Sequence, residues 1–127
     1  MSNDLANNKK AAVQFLELVT SGRIEEAYKQ FVDFSGKHHN PFFAAGFSAL
    51  RKAMIENHEK FPAKKYTVKN VIGDGDLVAV HAQLSLSGMD RGMIVVHMAR
   101  FKGSKIIELW DCGQQLPEDS PNTDGAF

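Results

Sequence analysis

The chain of 127 residues has a single cysteine, Cys112, so no disulfide can form within it. The opening Met1-Ser2-Asn3-Asp4 lacks the basic and apolar regions of a secretory signal. Both features fit a reducing, cytoplasmic setting. No apolar run approaches the roughly twenty residues needed to cross a bilayer, which argues against a membrane protein. Charge of one sign is also missing in excess. Lys plus Arg and Asp plus Glu each number 15, leaving nothing over for a polyphosphate, so neither nucleic acid nor an anionic membrane is expected as a main partner. Cys-x-x-Cys and His-Glu-x-x-His spacings are absent, and neighbours such as His38 and His39 on an extended segment point opposite ways, so no metal site is expected. Gly73-Asp74-Gly75 precedes a strand pattern, not a helix, and does not form a phosphate loop. No cofactor is implied.

What is present suffices for one compact domain over residues 1–127, with 43% hydrophobic residues to build a core. Residues 4–20 place Leu5, Ala12, Val13, Leu16 and Val19 at helical spacing, with Gly22 as a stop. A second helix is expected over 23–32 and a third over 46–61, ended by Pro62. Residues 33–46 have no clear period and read as a short strand or loop. After Pro62 the period becomes two. Strands are expected from 65 to 72, 77 to 86, 93 to 101 and 105 to 112, with a Asp-Gly hairpin turn after the first. From Gly113 onward, Pro117, Pro121 and Gly125 indicate an extended tail without regular structure, whose final Phe127 can plug a pocket, cover the sheet or stay free. Helices followed by an antiparallel meander define an α+β fold with helices on one face of a curved sheet.

Polar residues at core-facing strand positions mark where chemistry would reside. His97 shares a strand face with Met93, Val95, Ala99 and Phe101, His81 lies on the preceding strand, and antiparallel pairing can bring the two imidazoles together. Asp111 shares a face with Ile107 and Leu109, where a carboxylate is costly unless paired or solvated. Two imidazoles and a carboxylate in an apolar cavity can exchange protons near neutral pH. The same residues also admit a structural reading, in which the histidines are ordinary hydrogen-bonded strand residues and Asp111 caps its strand or bonds Arg100. Cys112 faces away from Asp111 and has no adjacent base, so it reads as packing. Of the nine phenylalanines, most of those in the helical half serve the core, and parity does not say which line a pocket.

Three runs carry a family resemblance: His39-Asn40-Pro41 followed by Gly46, Val78-Ala79-Val80-His81, and Lys105-Ile106-Ile107-Glu108-Leu109-Trp110-Asp111. In order and spacing they resemble the SnoaL-like branch of the nuclear-transport-factor-two-like superfamily, across nearly the whole chain. The resemblance implies a cone-shaped, curved antiparallel sheet wrapped around the N-terminal helices, a cystatin-like α+β barrel enclosing a pocket and commonly paired as a homodimer through the outer sheet face. It implies too that Asp111 corresponds to the aspartate that acts as general acid/base in cofactor-free aldol ring closure. Val95-Val96-His97-Met98-Ala99-Arg100-Phe101 is similar to the ketosteroid isomerase strand that supplies a protonated acid, with His97 where those enzymes have aspartate. The isomerase base maps near Asn40, so His39 would take that part. His81, His97 and Asp111 look like the two histidines and aspartate of scytalone dehydratase.

The expected activity is therefore a cofactor-independent lyase or isomerase, aldol cyclase-like, acting on a small hydrophobic carbonyl compound. Asp111 or His39 would abstract the proton, and His97 and His81 would hold the enolate oxygen. Two alternatives stay open, a non-catalytic ligand-binding protein and a dimerisation or docking domain.

Overall fold

A computed structural model describes residues 2–127. Helix α1 (Ser2–Thr20) buries Ala12, Phe15, Leu16 and Val19 along one stripe. It ends where Gly22 takes φ +92°, with Gly22 N donating to Val19 O and Arg23 N to Leu18 O. That is the double bond pattern of a Schellman cap, in which a left-handed glycine satisfies the last carbonyls. Helix α2 (Ile24–Phe31) follows at once and buries Ile24, Ala27, Tyr28 and Phe31.

Strand β1 (Val32–His38) leaves α2 without a turn, so the helix sets its direction. Helix α3 (Phe47–Lys60) then buries Phe47 and Leu50. Strands β2 (Lys65–Asp74), β3 (Leu77–Ser85), β4 (Met93–Lys102) and β5 (Lys105–Gln115) form the antiparallel meander. The sheet order is β1-β5-β4-β3-β2. The expectation of a wholly antiparallel sheet is corrected at one edge, because β1 lies parallel to β5. Periodicity within the meander carried no information about a strand whose direction is imposed by the helix before it.

Irregular register bends the sheet. Shifts occur between Val68 and Asn70 in β2, between Arg100 and Phe101 in β4, and between Val32 and Lys37 in β1, and bulges of this kind kink a strand and increase its twist. At the last of these β1 crosses tightly over β5. A Cβ on Gly36 would lie 2.1 Å from the Ile107 carbonyl oxygen, so only glycine fits. The result is a curved, unclosed sheet with β1 and β2 as its edges. Its concave face meets the helices, where Phe15, Tyr28, Phe47, Val78, Val80, Ala99, Ile106 and Leu109 share one core. Phe15 packs edge-on against Tyr28 at 5.2 Å between ring centroids. Each such fully buried side chain contributes on the order of 1.5–3 kcal/mol.

Two local readings need adjustment. The bulge opposite Arg100 turns Ile106, not Ile107, onto the concave face beside Leu109. Strand β5 also continues to Gln115 because Gly113, Gln114 and Gln115 pair with Val95, Ile94 and Met93. Beyond it the tail has no helix or strand. Arg91 Nη1 donates to the carbonyls of Pro117 and Glu118, and Phe127 comes to rest against His81 and Lys69. Among the described residues no helix is long and apolar enough to cross a membrane.

Candidate active site

The concave face of β4 carries His97, whose cross-strand partners are Val80 on β3 and Asp111 on β5. Residues directly opposite on neighbouring strands share a face, so the imidazole and the carboxylate both point toward the helices. The two side chains are held by different neighbours. Asn40, in the loop after β1, donates from Nδ2 to Asp111 Oδ2 at 2.8 Å. Tyr66 of β2 brings its hydroxyl to 3.2 Å from His97 Nδ1. Curvature makes the second contact possible, since Tyr66 and His97 sit on strands separated by β3 and meet only because the face is concave.

The electrostatics follow from depth. His97 is ringed by protein atoms yet keeps some accessible surface, as a group on the wall of a concavity should. Burial pushes its pKa below the ordinary histidine value, and the nearby Asp111 charge opposes that only in part. Burial raises the pKa of Tyr66, with Glu17 adding to the effect. Tyr28 is raised by burial and by the Asp111 charge, against a smaller pull from Arg51. Beside the Asp111 carboxyl group the face therefore presents a neutral imidazole and the protonated Tyr66 phenol, while the Tyr28 phenol is buried in the core.

His38 organises the loop that brings Asn40 into place. The ring is 7% exposed and lies 6.3 Å from the Phe47 ring. Its Nδ1 accepts the Asn40 backbone N–H at 3.1 Å, and its Nε2 lies 2.7 Å from the Ala44 carbonyl oxygen. A backbone N–H can only donate and a carbonyl can only accept, so His38 carries its proton on Nε2. His38, Asn40 and Asp111 thus form one continuous polar chain from the end of β1 through the following loop to the middle of β5.

Two expected participants lie elsewhere. His81 pairs with Val96, one position out of phase with His97, and so occupies the convex face. There it makes a 3.0 Å hydrogen bond with Asn70 and lies 5.7 Å from the Phe127 ring, tilted by 35° to it. His39 also points outward. Its ring stacks on Trp110 at 5.2 Å and its Nε2 lies 2.6 Å from Glu108 Oε2. Arg100 joins this outer cluster and bonds Asp76, so it is no partner for Asp111.

Tyr66 and Tyr28 were not singled out by sequence, and His38 and Asn40 were noted there only as a weak metal candidate and as part of the family resemblance, not as the support of Asp111. Parity did place Tyr66 with Val68, and the hydroxyl at the start of an inward-facing strand pattern was the available signal. Among the described residues no three His, Cys, Asp or Glu side chains gather to hold a metal. The surface grooves, for example one of about 560 Å3 lined by Ile24, Ile55 and His58 and another along β1 and β5 lined by Gly36, Ile107 and Glu108, are not lined by Asp111 or His97.

The signature described as SnoaL-like polyketide cyclase matches residues 10–118. No functionally curated protein matches the chain. Among solved structures, IdmH of Streptomyces antibioticus, a candidate polyketide cyclase, is 17% identical with a TM-score of 0.66, over 84% of this chain and 91% of that one. A candidate ketosteroid isomerase from Kribbella flavida is 17% identical, with a TM-score of 0.71 over 94% and 86%. AclR of Streptomyces galilaeus, a candidate hydroxylase, is 18% identical, with a TM-score of 0.73 over 89% and 82%. At these identities the three structures establish a shared fold.

Proposed function

The chain belongs to the SnoaL-like polyketide cyclase family, and on that premise we propose that its concave polar cluster catalyses cofactor-independent proton transfer at carbon next to a carbonyl in a small hydrophobic compound. Asp111 is the base. One of its oxygens is tied to Asn40, which leaves Oδ1 for the substrate. The carbon–hydrogen bond breaks toward Oδ1 and its electron pair becomes an enolate, whose oxygen His97 holds by a hydrogen bond. In an aldol closure the enolate carbon then adds to a second carbonyl of the same molecule, and the new alkoxide recovers the proton from Asp111. No oxidant or reductant is consumed.

The observation that carries this reading is the placement of Asp111 and His97 as direct cross-strand partners on the concave face. A carboxyl group and an imidazole side by side on one face are the two groups that proton transfer at an α-carbon needs. The test is hydrogen–deuterium exchange at the α-carbon of aromatic and alicyclic ketones in D2O, followed by proton NMR. Exchange accelerated by the wild-type protein and lost in Asp111→Asn supports the reading. Equal exchange in both proteins refutes it.

We also propose that two copies pair through the convex sheet face, where Val96, Met98 and Trp110 retain accessible surface. Light scattering gives the mass, and a monomer at tens of micromolar would rule this out.

A further inference from the structure

We propose that Tyr66 is a positioning residue that locks His97 in the tautomer carrying its proton on Nε2, so that the concave face offers an N–H donor beside the Asp111 carboxylate. The inference rests on the reading of that face as the reaction site. It adds a ligand requirement: the atom that meets His97 is an acceptor oxygen, as in a carbonyl or enolate, and not a hydroxyl donor.

The geometry gives the direction of the bond. Tyr66 Oη lies 3.2 Å from His97 Nδ1, with the ring centroids 5.9 Å apart and the planes inclined by 56°. A phenol donates well and accepts weakly, because its lone pair is delocalised into the ring. With the phenol proton directed at Nδ1, that nitrogen must be bare, and in an uncharged imidazole the proton then resides on Nε2. The reverse arrangement would leave the phenol proton facing away from its only neighbour in this bond.

The groups around the imidazole favour the same state. From β5 comes Asp111 and from β2 Tyr66, while the charge of the exposed Glu17 on α1 acts on Tyr66 and Tyr28 of α2 feels the Asp111 charge. Burial keeps His97 uncharged and both phenols protonated. Asp111 makes its own hydrogen bond with Asn40 and is not needed to orient the ring. An imidazole oriented by a third group through its far nitrogen is a recurring device where one tautomer must face the substrate.

The experiment is long-range proton–nitrogen NMR on protein labelled with 15N-histidine at neutral pH, with His97 assigned by its loss in His97→Gln. The expected spectrum shows His97 with Nδ1 unprotonated and Nε2 protonated, and Tyr66→Phe shifts the signals toward a mixture of tautomers. A wild-type Nδ1–H tautomer overturns the proposal, as does a Tyr66→Phe spectrum identical to wild type. Should Tyr66→Phe fail to fold, tyrosine is replaced biosynthetically by a fluorinated analogue. The more acidic phenol then moves the His97 Nδ1 resonance, and an unmoved resonance overturns the bond. In the exchange assay Tyr66→Phe is expected to slow turnover by about tenfold, the effect of losing one aligned hydrogen bond. The two readings fail separately: the tautomer is read without substrate, and Asp111-dependent exchange is read without the tautomer.

Discussion

Asn40 Nδ2 donates a 2.8 Å hydrogen bond to Asp111 Oδ2, joining the loop after β1 to the middle of β5 across 71 positions of sequence. The bond fixes which carboxyl oxygen faces the concavity.

Replacing that amide by a second acid should reverse its effect. In Asn40→Asp two carboxyl groups share one site, like charges oppose simultaneous ionisation, and one of the pair takes up a proton more readily. The acid limb of the pH–rate profile for α-carbon exchange is expected to move up by about one pH unit or more. An unmoved limb would mean that Asp111 is not the group titrating in catalysis.

His97 predicts how stability depends on pH. Its pKa is depressed in the folded state by burial, so in the window below about pH 6.5 the unfolded chain binds a proton that the folded chain refuses. Stability is thus full above that value and falls as pH drops through the window. The slope from this one group is at most about 1.4 kcal/mol per pH unit. Urea midpoints measured between pH 5 and 8, compared with His97→Gln, should show the wild type falling more steeply on the acid side. Parallel curves would show that His97 ionises as freely in the folded state as in the unfolded one.

His38→Ala should unfold the loop that carries Asn40. It strips the Asn40 N–H and the Ala44 carbonyl of their partner and opens space beside Phe47. A loss of about 2–4 kcal/mol in urea denaturation is expected, with α-carbon exchange reduced even at temperatures where the protein is folded. A surface histidine such as His81 should change stability by less than about 0.5 kcal/mol.

Gly36→Ala tests the β1–β5 crossing. The added methyl group would meet the Ile107 carbonyl at 2.1 Å, so one strand must move. We expect a loss of about 3 kcal/mol, with the largest gain in amide exchange at residues such as His39, whose N–H bonds Leu109 O across this edge at 2.8 Å.

Much of this architecture was readable from local pattern. The 3.6-residue spacing of Ala12, Leu16 and Val19, and the alternation of Val78, Val80 and Ala82, belong to single elements, and the structure buries those residues, with Leu5 and Val13 of the same helical pattern partly buried against the core. The inward positions of His97 and Asp111 were legible for the same reason: alternation states which residues of one strand share a face, and those two fell with apolar neighbours.

What lies between strands was not legible. Whether His81 faces the same side as His97 depends on a one-residue choice of register, and the loop joining β3 to β4 sets it so that His81 meets Val96. The bulge in β5 exchanges Ile107 for Ile106, and the bulge in β2 sends Asn70 outward while Tyr66 stays inside. Asn40 and His38 come from a segment with no period at all. Their positions arise from hydrogen bonds to Asp111 and to Ala44 that exist only once the chain has closed on itself. The sequence by itself determined the elements, the core and two of the polar residues that face it, because these rest on interactions a few residues long. Tertiary structure alone decided the company those residues keep, because register, sheet curvature and loop closure are properties of the assembled sheet.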